Sequence, residues 1–242
     1  MSSMPGRQAP PPPLAIRPRP SRRRRALLLI VLAISIPIAS VVAVSGAFLY
    51  LKKWMPFQNA GMAMLPTSLE SDRFLFDAKA YRGSELPRRG DLIVFLAPAS
   101  ASFGQRVLFF KRIVGLPGDR VEMSQGVPTI NGVPATWEFL SDYRYPSGVR
   151  QGKRFREHLP GGASYEILKL NKRGDLDEGG PFLVPPGSYF VLGDNRDDSI
   201  DSRGASASSR WWSVPLGDVW GRANYVYWSG FDRLDRIGLA LK

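Results

Sequence analysis

Between Arg25 and Lys52 the chain runs for 26 residues without a charged side chain. As a helix this stretch, Ala26–Leu51, is long enough to cross a hydrocarbon layer about 30 Å thick. It also exceeds the roughly 7–15 apolar residues at the centre of a cleaved leader, so an uncleaved anchor is expected rather than a removed one. Pro37 within it is placed to bend such a helix.

The net charge of +12 suggests a nucleic-acid partner until the charges are located. Residues 1–53 carry nine basic side chains and no acidic one, which leaves 24 basic against 21 acidic in the remainder. The excess therefore sits beside the apolar run, where it attracts anionic lipid and sets orientation. Seven basic residues precede the run and two follow it. This predicts a cytoplasmic N-terminus, a lipid bilayer as partner, no nucleic acid, and an external domain over 54–242. Residues 1–25, rich in Pro and Arg, lack the apolar surface to fold and read as a disordered basic tail. Trp54 and Phe57 are expected at the outer membrane interface.

From Arg73 onward the pattern is one of short apolar or alternating runs separated by turn residues. Phe74-Leu75-Phe76, Leu92–Leu96, Val107–Phe110, Arg112–Val114, Tyr189–Leu192, Val219-Trp220 and Tyr225–Trp228 predict strands. Asn131-Gly132, between Thr129-Ile130 and Val133, predicts a hairpin turn. The expected fold is mainly β: a β-rich domain behind one transmembrane helix, with an inserted irregular subdomain at about 132–181, where the sequence is polar and Gly-rich.

Which chemistry this domain can perform is narrowed by what is missing. There is no Cys, which removes disulfides and thiolate ligands. The one His, His158, lies in the polar run Arg156–Gly162, so a Ser-His-Asp triad is not expected. A hydroxyl nucleophile would then need another base. A lysine serves only if burial keeps its amine neutral near pH 7. Lys111 is a candidate because it interrupts an apolar sequence and, in a strand, shares a face with Phe109 and Ile113. The ordinary alternative is a lysine that reaches water from a strand edge. The acidic run from Asp194 is a poor calcium loop, since Arg196 stands where an oxygen ligand is needed. No metal or organic cofactor is implied.

Three ordered stretches behind the apolar run resemble type I signal peptidase, the bacterial leader peptidase that works with a Ser-Lys pair. They are Gly61-Met62-Ala63-Met64-Leu65-Pro66-Thr67, Lys111-Arg112-Ile113-Val114-Gly115-Leu116-Pro117-Gly118-Asp119, and Gly193-Asp194-Asn195-Arg196-Asp197-Asp198-Ser199-Ile200-Asp201-Ser202-Arg203. The resemblance implies removal of signal peptides from exported preproteins at a bacterial inner membrane, with the main domain periplasmic. By the same resemblance Lys111 is the general base and Ser199 orients it. Asp194, Asn195, Arg196, Asp201 and Arg203 brace the site, and Gly61, Met62, Met64 and Pro66 form the substrate and oxyanion region.

One position departs from the family pattern. Ala63 stands where the family has its nucleophilic serine, and a methyl group cannot attack a carbonyl. Activity is therefore expected to be lost or severely reduced, unless Ser68, five residues on, takes over. The alternative is a membrane-anchored, non-catalytic binder of signal peptides or a regulator of an active peptidase. A Ser-Lys self-cleaving repressor is disfavoured by the anchor and by the lack of a DNA-binding helical region.

Overall fold

The computed structural model describes residues 22–51, 53–101, 104–145, 151–170, 174–204 and 213–241, without the side chains of 22, 24–26, 28, 45, 48, 49 and 51. The expected tail is thus largely outside the described residues, as are Trp211 and Trp212. The chain divides into two compact units, 1–49 and 50–242.

The first unit holds all but the last two residues of helix α1, Arg22–Leu51, with Pro37 inside it. Its large apolar side chains, Leu29, Ile34, Val41 and Val44 among them, are exposed. Among the described residues no helix is long and apolar enough to cross a membrane, so α1 is established here as a helix and not as a membrane span.

The second unit is built of strands. In chain order they are β1 (Trp54–Gln58), β2 (Arg73–Asp77), β3 (Leu92–Leu96), β4 (Leu108–Gly115), β5 (Arg120–Ser124), β6 (Val127–Ile130), β7 (Val133–Pro134), β8 (Thr136–Arg144), β9 (Gln151–His158), β10 (Ser164–Leu170), β11 (Gly179–Leu183), β12 (Ser188–Leu192), β13 (Val214–Pro215) and β14 (Val219–Trp228). They form a seven-stranded sheet in the order β1-β2-β14-β3-β4-β12-β13, a four-stranded sheet β11-β5-β6-β7 and a three-stranded sheet β10-β9-β8. Every named strand pair is antiparallel.

The apolar runs become strands for the expected reason: each buries side chains in a shared core. Ile93, Phe95, Ile113, Tyr189 and Val191 fill one cluster between neighbouring strands. Phe74, Phe76, Leu92, Val94 and Phe110 fill another. The hairpin at Asn131-Gly132 is present, with Ile130 opposite Val133 and positive φ at both turn residues.

One expectation is corrected. Residues 132–181 are not irregular: they hold β8, β9 and β10, of nine, eight and seven residues. Their polar composition reflects a largely solvated face, since Gln151, Lys153 and Glu138 point outward while Ile167, Leu168 and Glu157 are buried. Gly152 is needed there, because a Cβ would lie 2.8 Å from the Lys169 carbonyl oxygen. Phe57, expected at a membrane interface, is half-buried and packs its ring 5.1 Å from Phe74 and 6.3 Å from Phe110.

Candidate active site

The predicted residues meet around Gly193. β3 pairs with β4 so that Ile93 faces Lys111, and β12 pairs with the other side of β4 so that Leu192 faces Arg112. One further step of that register sets Gly193, just beyond β12, opposite Lys111. A Cβ on Gly193 would lie 2.2 Å from Ser199 Oγ and 2.6 Å from the Ala63 carbonyl oxygen. Only a residue without a side chain lets the loop of Ala63, the hydroxyl of Ser199 and the strand of Lys111 converge here.

Lys111 is almost fully buried, its Nζ 5.4 Å from the centre of the Phe109 ring. It shares a face with Phe109 and Ile113, as the strand pattern implies. Burial pushes its ammonium down to about 8, with Asp201 and Asp194 pulling it up and Arg203 pushing it further down. Ser199 Oγ is buried and has no hydrogen-bond partner.

The loop at 61–67 is a compact turn. Leu65 N–H donates to the Met62 carbonyl at 3.1 Å and Ser68 N–H to the Met64 carbonyl at 2.9 Å. Met64 and Leu65 are buried, Ala63 is half-buried, and the Leu65–Pro66 bond is cis. Gly61 keeps a φ open to any residue, and a Cβ there would meet nothing within 4 Å, so it is not required by backbone conformation. Met62 lines a cleft of about 740 Å³ with Leu65, Leu69, Tyr143, Trp228 and Arg233. Ser68 is fully buried; its hydroxyl donates to Asp72 at 3.4 Å and accepts from Asn59 at 3.2 Å.

The bracing residues form three buried guanidinium–carboxylate pairs. Arg203 grips Asp201 through Nε at 2.9 Å and Nη2 at 2.8 Å, and Asp201 accepts from Gly193 N–H at 3.0 Å. Burial alone would raise the Asp201 carboxyl, but Arg203 outweighs it and holds the group below the usual carboxylate range. Asn195 ties the turn down, donating through N–H to the Ala63 carbonyl at 3.1 Å and through Nδ2 to the Met62 carbonyl at 3.0 Å.

Several partners escaped sequence reasoning. Arg112 grips Asp194 through Nε at 2.8 Å and Nη2 at 2.7 Å, its guanidinium 3.9 Å from the centre of the Tyr165 ring. Thr67 Oγ1 donates to the same Asp194 at 2.5 Å. Arg196 makes a two-pronged pair with Glu157, which also accepts from Trp137 and Tyr165. Burial would raise Glu157, yet Arg196 and these donors hold it low, and Glu157 in turn keeps Arg196 above its ordinary value against burial. Arg112, one residue from Lys111 in an apolar strand, was visible in principle; Glu157 gave no signal. Its neighbour His158 is half exposed, with Nε2 3.8 Å from Glu138. Among the described residues no group of three or more His, Asp or Glu side chains is placed to hold a metal ion.

Residues 28–228 match the family described as signal peptidase, peptidase S26. The chain belongs to that family. It is 36% identical to signal peptidase I of Rickettsia typhi over 151 residues, covering 59% of this chain and 53% of that protein. With signal peptidase I of Rickettsia massiliae it shares 38% identity over 126 residues, 48% of this chain and 44% of the relative. The chain thus spans about half the length of the curated signal peptidases it matches. A solved signal peptidase I from Enterococcus faecalis V583 aligns at 29% identity with a TM-score of 0.31, covering 58% of this chain and 98% of that one.

Proposed function

We propose that this chain is a membrane-anchored signal peptidase homologue whose site is arranged for signal-peptide removal by a Ser-Lys pair and is disabled at position 63. The observation that carries the reading is the convergence of Lys111, Ser199 and the Ala63 turn on Gly193. With a serine at 63, its Oγ would attack the scissile carbonyl while neutral Lys111 takes the hydroxyl proton. That proton would pass to the departing amine, and water would then release the acyl group. Backbone N–H at 63 is the oxyanion donor in this scheme, since Gly61 offers no hydroxyl. The preprotein would lie extended against a strand edge.

In this reading the anchor is helix α1, on the strength of its uncharged 26-residue sequence run 26–51, although the described residues alone do not make it long and apolar enough to cross. The basic residues before it favour a cytoplasmic N-terminus and an external main domain at a bacterial inner membrane.

A second reading, a non-cleaving binder or regulator, is favoured by Ser68. Its hydroxyl is fully buried and held by Asp72 and Asn59, so it does not replace the missing nucleophile. The deciding experiment compares cleavage of a test preprotein by this chain and by Ala63→Ser in detergent. Cleavage by the serine form alone supports a disabled peptidase. Cleavage by neither sinks the catalytic reading and leaves the binder.

A further inference from the structure

Beyond Trp228, where the family match ends, the chain turns back onto the loop that carries position 63. Asp72, at the end of that loop, is fully buried. It accepts from Leu69 N–H at 2.8 Å, from the Ser229 hydroxyl and from Arg236 Nη2 at 2.6 Å. The same Arg236 Nη2 donates to the Thr67 carbonyl at 3.1 Å. Thr67 is therefore held from two sides: its carbonyl by the C-terminal segment, its hydroxyl by Asp194, which Arg112 grips beside Lys111.

The segment that carries Arg236 is itself well seated. Gly238 N–H donates to the Val226 carbonyl at 2.8 Å, and Val226 N–H to the Leu239 carbonyl at 3.0 Å. Tyr225 bridges to Ala240, and Leu241 is buried in the cluster that contains Met64. The segment occupies the flank of β14 beyond its pairing with β3, which stops at Arg222.

We infer that Arg236 is a positioning residue: with Asp72 and Ser229 it clasps the 61–72 loop from behind and fixes where position 63 faces Lys111. Ser68 belongs to this clasp through its bond to Asp72. Opening the clasp would leave the buried Asp72 carboxylate without its guanidinium, which is costly. The functional part of the inference rests on the proposed peptidase reading; the structural part does not.

The test is hydrogen exchange on the full chain in detergent, comparing Arg236→Ala and Arg236→Lys with the parent. Exchange over peptides spanning 64–73 should quicken about tenfold or more in Arg236→Ala and less in Arg236→Lys, while β12 stays unchanged. No change at 64–73, or an equal rise over β12, overturns the inference. In an Ala63→Ser chain that cleaves, adding Arg236→Ala should lower kcat about tenfold with KM little changed, and Arg236→Lys should recover part of it. An unchanged kcat with a loosened loop also overturns it. Because exchange does not depend on cleavage, failure of the peptidase reading and failure of the clasp give different results.

Discussion

The arginine–carboxylate pairs and the two groups proposed to react lie within one site but are treated in opposite ways. Arg112, Arg196 and Arg203 each meet a carboxylate through two nitrogens, and Glu157 and Asp201 are held ionised against burial. Lys111 and Ser199 have no such support: the amine is driven toward neutrality and the buried hydroxyl has no partner. The contrast teaches where rigidity and reactivity are separated. Charges that are paired fix the backbone, and on the proposed reading the two groups without such a partner keep the electron pair and the donor that cleavage needs.

The contrast can be broken by substitutions that should act with opposite signs. The largest effect is on turnover. If only the nucleophile is missing, Ala63→Ser should raise kcat on a test preprotein by on the order of 10⁶. Its kcat/KM should also climb with pH through about 8, as Lys111 loses its proton. A flat profile between pH 7 and 9 would reject Lys111 as the base.

Next comes the frame. Glu157→Gln leaves Arg196 buried without its counter-charge and should cost about 3–5 kcal/mol in denaturant unfolding. A cost below about 1 kcal/mol would show the pair to be idle. Lys111→Met should do the reverse. Each unit of depressed pKa is worth about 1.4 kcal/mol, so holding Lys111 protonated costs on the order of 3 kcal/mol below pH 8. The folded state binds fewer protons than the unfolded chain between about 8 and 10.5, so the parent regains this stability as pH rises through that window. The advantage of Lys111→Met should accordingly be present at pH 7 and gone by pH 10.5. A destabilised Lys111→Met at pH 7 would contradict the assignment. Smallest is Ser199→Ala, which removes a buried hydroxyl that has no bond to lose and should stabilise by about 1 kcal/mol or leave stability unchanged.

The same division explains what could be read from the sequence. Lys111 was legible because a charge inside an apolar strand is rare and its strand neighbours are fixed by a two-residue period. The main strands followed from β-branched and aromatic runs, although β4 and β14 each join two runs that looked separate. Glu157 was illegible because its neighbours are solvated and its burial is decided by Arg196, thirty-nine residues later. The three-stranded sheet over β8–β10 was hidden for a related reason: polar side chains on its solvated face mask the alternation. Asp72 and Arg236 could be joined only by a turn of the chain that no local pattern foretells.

Gly193 has one more consequence, and it concerns descent rather than chemistry. Its missing side chain is the condition on which the turn, the hydroxyl and the lysine strand share one place. While that glycine and the paired charges persist, alanine and serine at position 63 are separated by a single base change in a codon. On the proposed reading, a lineage carrying this chain keeps its site within one mutation of a serine at position 63, and drift at Gly193 would close that route.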